Sequence, residues 1–447
     1  MIGEPAIRKI TDKVLAMSPA EQTEASFYGE TNALTRFANN YIHQNVAETN
    51  TTVSVRVVVG KKIGIASTND LSDDGLRKAV DRACTIARFQ IDNADFKSLP
   101  TPEQAGHAGS PGKGFVEATA AATPERRAEG AGVICGMSSH NGLTAAGAFS
   151  TGAQEIAVAN SLGVFAYDTM TSANLLTVVM SENSSGYAER TSKDVGDIDA
   201  EEVAREAVDK ALRSKDPTDL EPGEYPVILE EYAMGDMLMY LSFMGFSARA
   251  VQEGRSFLKP GEKITGDNIT IFDDGGDPRG MPLAIDFEGV ARRRVEIIGA
   301  GVANQAVYDT YTAGREEGKE STGHALPAQY PFGPLATNLF MEPGTTPKQD
   351  LIKGIERGIW VTRFHYTNIV HPLFTILTGM TRDGTFLIEN GEITRPIKNL
   401  RFNQSVLEAW QNATLSDTLT MQKGYFGGTM VPAARIEQFK FASGTSF

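Results

Sequence analysis

Apolar residues recur at every second position in several stretches of the first half, a period typical of strands with one buried face. Residues 53–59 place valine at each alternate position, and residues 63–66 follow a short turn as the predicted return strand. We also predict a strand from Leu34 to Asn45. Further strands are predicted at residues 154–159, 164–168 and 173–180.

Apolar residues spaced three and four apart predict helices between these strands. Ile7, Ile10, Val14 and Leu15 mark an amphipathic first helix. Ser72 is the predicted cap of a second helix that runs to about residue 90, and Asp199 begins another, with Glu202 at capping-box spacing. The predicted apolar faces of these two helices are Leu76, Val80, Ala83, Ala87 and Phe89, and Val203, Ala207, Val208, Ala211 and Leu212.

The second half reads mainly as strands and turns, with one long helix predicted over residues 231–248. Asn390-Gly391 predicts a type I′ turn in a hairpin over residues 384–393. Prolines and acidic residues at 216–223 are typical of a solvated linker. The sequence therefore predicts an α+β protein with two domains. Residues 1–215 form helices packed on antiparallel strands, and residues 224–447 form a mostly antiparallel sheet or barrel-like domain with one long helix.

Composition narrows the classes of function. The formal net charge of -14 repels phosphate backbones, so direct nucleic-acid binding is disfavoured. No stretch reaches the roughly 20 apolar residues of a membrane span. Only two cysteines occur, Cys84 and Cys135, which fits a reducing compartment. Charged residues interrupt every apolar run near the N-terminus, so no signal peptide is indicated. We therefore expect a cytoplasmic protein.

Several local motifs resemble binding sites without completing them. Gly299-Ala300-Gly301 imitates a dinucleotide fingerprint, but Asn304 stands where the third glycine is needed, which favours a hairpin turn. The acidic segment 273–277 lacks the ligand spacing of a calcium loop and is predicted to be a solvated turn. None of the six histidines is followed by glutamate, so the helical His-Glu-x-x-His zinc pattern is absent.

Small and polar residues are dense in two stretches, 321–327 and 378–384. Glycine allows a second chain to approach closely, and the neighbouring polar side chains could hydrogen-bond to it. Tight hydrogen-bonded turns would explain the same residues equally well. The candidate substrate-binding residues are Thr322, Gly323, His324, Gly379, Met380, Thr381, Arg382 and Asp383.

These stretches belong to an ordered set of motifs through which the chain resembles the TldD/PmbA family. That family was historically named for modulation of DNA gyrase and is classed as metallopeptidases. The matching segments are residues 35–44, 55–57, 64–69, 286–290, 321–325, 338–340, 342–344 and 386–393. The resemblance implies a two-domain fold and a dimer that encloses a cavity. It also implies two kinds of subunit: TldD-like chains with a zinc-binding His-Glu-x-x-x-His helix and a distant cysteine, and TldE/PmbA-like chains without them.

In this chain the corresponding helix begins near residue 230. Matching the small residues of the motif puts Glu231 and Asp236 at the histidine positions and Tyr232 at the catalytic glutamate position. Two carboxylates and a phenol are poor substitutes for imidazoles and a general base. No cysteine lies beyond Cys135. We therefore expect no metal and no cofactor in this chain, with zinc only in a TldD-like partner.

The leading hypothesis is a metal-free TldE/PmbA-like subunit involved in peptide proteolysis or maturation, not catalytic alone. It would form a cavity for extended or unfolded peptide and pair with a TldD-like subunit or with itself. A second hypothesis is an active hydrolase with an unconventional site, with His324, His365 and His371 as candidate catalytic residues beside Glu231 and Asp383. A third, non-enzymatic modulation of DNA gyrase, rests on the family label alone.

Overall fold

The first half of the chain forms one sheet with helices on one face. The computed structural model describes residues 1–107, 112–424 and 427–445. All strand pairs of this sheet are antiparallel, in the order β3-β2-β1-β4-β5-β6. The strands are β1 Gln22–Ala38, β2 Tyr41–Val59, β3 Lys62–Thr68, β4 Thr144–Asn160, β5 Phe165–Met180 and β6 Ser185–Ser192.

The helices of this half cover the face formed by odd-numbered positions of the central strands. Val53, Val55 and Val57 of β2 are buried against the first two helices, and Phe149 of β4 is buried against the later ones. This alternation is the pleat that the valine pattern predicted. The helices are α1 Glu4–Met17, α2 Asp73–Phe89, α3 Pro102–Ala105, α4 Glu117–Ala120, α5 Pro124–His140 and α6 Ala200–Arg213, with a 3-10 turn at Val195–Asp197.

The second half contains a six-stranded mixed sheet and a barrel. The mixed sheet has the order β10-β9-β8-β11-β18-β17. In the second sheet of this half, β12 also pairs with β13, and this pairing closes a five-stranded barrel of β12, β7, β19, β15 and β13. The strands are β7 Glu224–Leu229, β8 Ile271–Asp273, β9 Val295–Gly299, β10 Val302–Ala303, β11 Asn338–Met341, β12 Arg357–His371, β13 Ile376–Glu389, β14 Glu392–Pro396, β15 Leu400–Ser405, β16 Thr414–Leu415, β17 Thr420–Lys423, β18 Gly428–Val431 and β19 Ala434–Gly444.

One long helix lies between the barrel and the mixed sheet. This helix, α7, begins directly after β7 and contacts β12 on one side and β17 and β18 on the other. Its buried Met234, Met237, Leu238 and Leu241 belong to a core shared by both sheets. The helices of this half are α7 Glu231–Gly245, α8 Ala248–Gln252, α9 Thr310–Ala313 and α10 Val406–Ala409, with 3-10 turns at Lys348–Asp350 and Trp410–Asn412. The predicted α+β class and barrel-like second half are confirmed.

Short-range sequence signals located several element ends correctly. The Ser72 side chain accepts a hydrogen bond from Gly75 N, and Asp199 accepts from the N–H groups of residues 201 and 202. Asn390 and Gly391 both have positive φ, as a type I′ turn requires. Residues 299–302 turn between β9 and β10, so the hairpin interpretation of the glycine motif is confirmed.

Other element predictions are wrong. The strand predicted from Leu34 to Asn45 is instead the tip of the β1–β2 hairpin, where Asn39 and Asn40 have φ of 51° and 62°. Two positive φ angles in succession define a type I′ turn, and asparagine tolerates them. The prediction that Phe89 and Leu212 lie on buried helix faces is wrong: both are exposed, one at the last and one at the second-last residue of its helix. The domain boundary at 216–223 stays a prediction. Within the described residues, no helix is long and apolar enough to cross a bilayer.

Candidate functional site

A cavity of about 480 Å³ lies against the face of the first sheet that the helices leave free. The strand pleat explains its composition, because even-numbered positions point away from the helices. Many of these positions are small or polar, so they leave space and offer hydrogen-bonding groups. The residues of this floor are Ser26, Tyr28 and Glu30 of β1, Thr52 and Ser54 of β2, Gln154 and Ile156 of β4, and Met170, Ser172 and Asn174 of β5.

The second half supplies the opposite wall of the cavity. Its segments are residues 281–292 and 323–337, together with Lys423 at the end of β17. Apolar side chains dominate there, among them Leu283, Phe287 and Leu326. The cavity therefore has one wall rich in hydrogen-bonding groups and one apolar wall. Sequence reasoning missed this site, although the alternation of polar residues along β1 and β5 was a signal for it.

A buried charged centre supports the apolar wall. The Nε2 atom of His324 lies 2.9 Å from Asp273 Oδ1, and Arg292 contacts the same oxygen at 2.9 Å. Burial alone would raise the pKa of Asp273, but Arg292 and His324 outweigh it and lower that pKa. Burial lowers the pKa of His324. The prediction that Asp273 lies in a solvated turn is wrong: it is the last residue of β8 and is fully buried, with its partners supplied by distant segments.

Three of the candidate substrate-binding residues lie at this wall. Gly323 and His324 line the cavity, and Thr322 Oγ1 contacts His324 Nδ1 at 2.9 Å. Gly323 has a φ of 76°, and a Cβ atom there would lie 2.4 Å from the carbonyl oxygen of Ala291. The glycine is therefore required by packing and by backbone conformation.

The other five candidate residues lie elsewhere. Gly379, Met380, Thr381, Arg382 and Asp383 are on β13 of the barrel and are not among the cavity-lining residues. They form a strand, so the alternative interpretation of this stretch as a tight turn is wrong.

Asp383 has an evident structural role. It accepts hydrogen bonds from Ser185 Oγ and Arg363 Nε, both at 2.7 Å. Ser185 belongs to the first sheet and Arg363 to the barrel, so this buried carboxylate joins the two halves.

The histidines do not converge on a common centre. His365 is half-buried beside Tyr366 on β12, and burial lowers its pKa. His371 packs against Phe374 at the end of the same strand. His324 is enclosed with Asp273 at the cavity wall. Among the described ranges, no three His, Cys, Asp or Glu side chains come together in a way that could hold a metal ion.

The first turn of α7 carries the residues aligned with the zinc motif of the family. Glu231 is buried and forms an ion pair with Lys348 at 2.5 Å. The Tyr232 hydroxyl accepts hydrogen bonds from Glu189 N and Arg190 and donates to Glu206, over distances of 3.0–3.1 Å. Burial raises the pKa of Tyr232.

Asp236 lies one turn further along the helix. It lines a small pocket of about 160 Å³ with Tyr232 and Gln422, and Thr367 donates a hydrogen bond to it. Burial raises the pKa of Asp236 to about 6. These three side chains do not fit a catalytic zinc ion, since the acids are held by Lys348 and Thr367 and the phenol stays protonated.

A cluster of buried acids around one arginine lies between the two halves. Arg56 contacts Glu24 at 2.5 Å and Glu288 at 2.9 Å; both carboxylates are buried, and the arginine side chain is 12% exposed. Glu288 also accepts a hydrogen bond from Thr310 N at 2.9 Å. Burial raises the pKa of Asp286, which lines the cavity, and Glu288 raises it further. In the sequence, residues 286–290 stand out only as one of the segments that resemble the family.

Profiles of three domains described as PmbA/TldA metallopeptidase match most of the chain. Domain 1 matches residues 23–87, the central domain residues 117–215 and the C-terminal domain residues 222–443. The chain belongs to the PmbA/TldD family. The resemblance drawn from sequence motifs is thereby confirmed, and with it membership of a metallopeptidase family.

Individual relatives agree with this assignment. A metalloprotease TldD homolog from Buchnera aphidicola is 26% identical over 411 residues, covering 86% of this chain and 83% of that protein. The crystal structure of TldE from Thermococcus kodakarensis superposes with a TM-score of 0.87 at 21% identity, covering 98% of this chain and 100% of the other. A structure described as a candidate modulator of a DNA gyrase, from Thermotoga maritima, gives 0.85 at 19% identity with the same coverage. At these identities the two structures establish a shared fold alone.

Proposed function

We propose that this chain is the metal-free subunit of a PmbA/TldD-type peptidase. It forms a peptide-binding cavity and pairs with a zinc-bearing TldD-like subunit that performs hydrolysis. The observation that carries the proposal is the state of α7: the residues at the motif positions, Glu231, Tyr232 and Asp236, are already bonded to other parts of the chain.

The bonds of these residues argue against metal chemistry at this helix. Zinc peptidase sites use neutral imidazoles or thiolates with a carboxylate as general base. Binding zinc through Glu231 would require the ion to displace Lys348 from its ion pair with this buried carboxylate. Tyr232 would have to lose a proton although burial favours its neutral form.

The cavity supports the peptide part of the proposal. An extended peptide offers backbone N–H and C=O groups on its edges and side chains on alternate faces. The polar floor provides serine, threonine and amide groups for the backbone, and the wall around Leu283 and Leu326 provides apolar contacts. Such recognition needs no particular peptide sequence.

Metal analysis and peptidase assays test the proposal. We expect less than one tenth of a zinc ion per purified chain, no hydrolysis by the chain alone, and hydrolysis of unfolded peptides after mixing with a zinc-loaded TldD-like subunit. One tightly bound zinc per chain, lost on Glu231→Ala or Asp236→Ala, would overturn it.

A cavity-filling pair of variants isolates the role of this chain. Ser172→Trp places a large ring at the floor of the cavity, whereas Thr85→Trp places the same ring on the exposed face of α2. We expect Ser172→Trp to reduce hydrolysis by the mixed subunits at least tenfold and Thr85→Trp to leave it unchanged, with both chains still binding the partner. Equal activity of both variants would show that the cavity takes no part.

A further inference from the structure

Among the residues that the structure describes, the outer half of β2 forms a long strand edge without a partner strand. β1 pairs with β2 along almost its whole length, but on the other side β3 pairs only with Val53–Val59. In the part of the chain that the structure describes, no strand pairs with the remaining edge, Tyr41–Thr52. Most of these residues are exposed on both faces of the sheet, and the rest are half-buried.

This edge lacks the features that normally prevent strand addition. Native edge strands are protected by lysine, proline, bulges or a covering helix. Residues 44–52 contain a single charged residue, Glu48, and no lysine, arginine, proline or glycine. The register shift near the turn leaves the extra residue at His43, so the ladder from Gln44 onward is regular. The backbone N–H and C=O groups of residues 44–52 are therefore available to a regular partner strand over about 30 Å, at ~3.3 Å per residue.

The same strand leads into the cavity. Thr52 and Ser54, the next even-numbered positions, line the cavity floor. An added strand cannot continue past Val53, because Thr68 at the end of β3 occupies the edge from there on. A polypeptide paired with this edge must therefore leave it beside Thr52, which lines the cavity.

We propose that Gln44–Thr52 is a docking strand for an extended segment of the peptide substrate, which pairs with β2 through its backbone and enters the cavity at Thr52. The proposal rests on the peptide-binding function proposed above and assigns part of that binding to a site outside the cavity. The edge of residues 44–52 carries little charge and would bind main-chain groups, so it would accept unfolded segments of varied sequence.

Hydrogen exchange on the full-length chain tests this site. The probe is an unstructured 14-residue peptide of Thr, Val and Ser, with or without a zinc-loaded TldD-like subunit present. We expect the amides of residues 44–52 to exchange at least fivefold more slowly when the peptide is added, while those of α2 stay unchanged.

Two N-methylated peptides provide the matched control. An added strand presents every second N–H to the edge, so methylation of one alternate set removes the pairing and methylation of the other set leaves it intact. We expect one of the two peptides to lose the protection at residues 44–52 and the other to retain it. Equal behaviour of the two peptides would contradict strand addition.

The remaining outcomes separate this proposal from the function it rests on. Peptide-dependent protection confined to cavity segments, such as residues 26–30 and 323–327, would overturn the docking strand and leave the peptide-binding cavity standing. Protection of residues 44–52 that depends on protein concentration and not on peptide would overturn it in favour of pairing between two copies of this chain. Absence of peptide binding in every mixture would overturn both proposals.

Discussion

Replacing Arg56 by methionine is expected to destabilise the protein by about 3 to 5 kcal/mol, because it leaves two buried carboxylates without a cation. Arg56 is the shared partner of Glu24 and Glu288, whose side chains are only 2% and 7% exposed. Methionine retains much of the volume, so the lost charge accounts for most of the change. Since Glu288 belongs to the second half, the loss also weakens the contact between the halves.

The pH dependence of this loss is the sharper part of the prediction. Even with Arg56 present, burial raises the pKa of Glu24, and Arg56 opposes the rise. Without Arg56, the folded-state pKa rises further above that of the unfolded chain. The contribution of the protonated Glu24 carboxyl to the free energy of unfolding is fully present below the pKa of about 4.3 that glutamate has in the unfolded chain. This contribution is lost as the pH rises through the higher pKa of the folded state. The deficit of the variant is therefore larger at pH 8 than at pH 5.

Urea unfolding followed by far-ultraviolet circular dichroism at both pH values measures this. Lys78→Met is the control, because Lys78 and Asp74 form a fully exposed pair on α2 and their separation should have no measurable effect. Adding Glu288→Gln to Arg56→Met removes one unpaired charge and should recover part of the loss. The reasoning is refuted if Arg56→Met is no more harmful than Lys78→Met, or if its deficit is the same at pH 5 and pH 8.

Three further substitutions have defined outcomes in the same urea assay. Gly64→Ala should cost about 3 kcal/mol, because the new Cβ would lie 2.0 Å from the carbonyl oxygen of Ala83 in α2. Gly136→Ala, on the open face of α5, should instead stabilise the protein by about 0.5 to 1 kcal/mol. A Gly136→Ala variant less stable than the Gly64→Ala variant would contradict this reasoning. Asp236→Asn should stabilise by about 1 to 3 kcal/mol at pH 8, since burial raises the pKa of Asp236 to about 6. This gain should shrink toward pH 5 as the wild-type carboxyl becomes protonated, and a constant gain would refute it.

The sequence predicted those elements whose signals are local. Ser72 and Asp199 mark helix starts with their own side chains, and Asn390-Gly391 defines its turn through two residues. The Asn39-Asn40 turn has the same backbone conformation but was missed, because strand-forming residues continue on both sides of it. Local signals thus fixed where several elements begin without fixing which strands pair.

The candidate site could be predicted only in part, because its residues are brought together by pairings between distant segments. Asp273 and His324 are separated by 51 positions, and Arg56 and Glu288 by 232. A polar residue in such a pair resembles a solvated surface residue until its partner is known, which explains the error at Asp273. The cavity floor, in contrast, had a readable signal in the alternation of Ser172 and Asn174 with buried Ala173 and Leu175.

The polar residues in the first turns of α7 also hold neighbouring parts of the fold together, so metal binding there would affect the structure. The helix is buried between two sheets, so each polar group in its first turns requires a partner. The partners come from distant parts of the chain: Lys348 for Glu231, and Arg190 with Glu206 for Tyr232. Lys210 extends this network to Glu206 and Glu230, at 2.7 Å each. Burial alone would raise the pKa of Glu206, but Lys210 and Arg190 outweigh it and lower that pKa to about 2.

The hydroxyl of Tyr232 joins α7 to Glu206 of α6, so a zinc ion that used this oxygen would have to displace that hydrogen bond and loosen the contact between the two helices. Zinc bound through Tyr232 should therefore speed amide exchange in α6, whereas a metal ion bound without displacing that hydrogen bond should slow it.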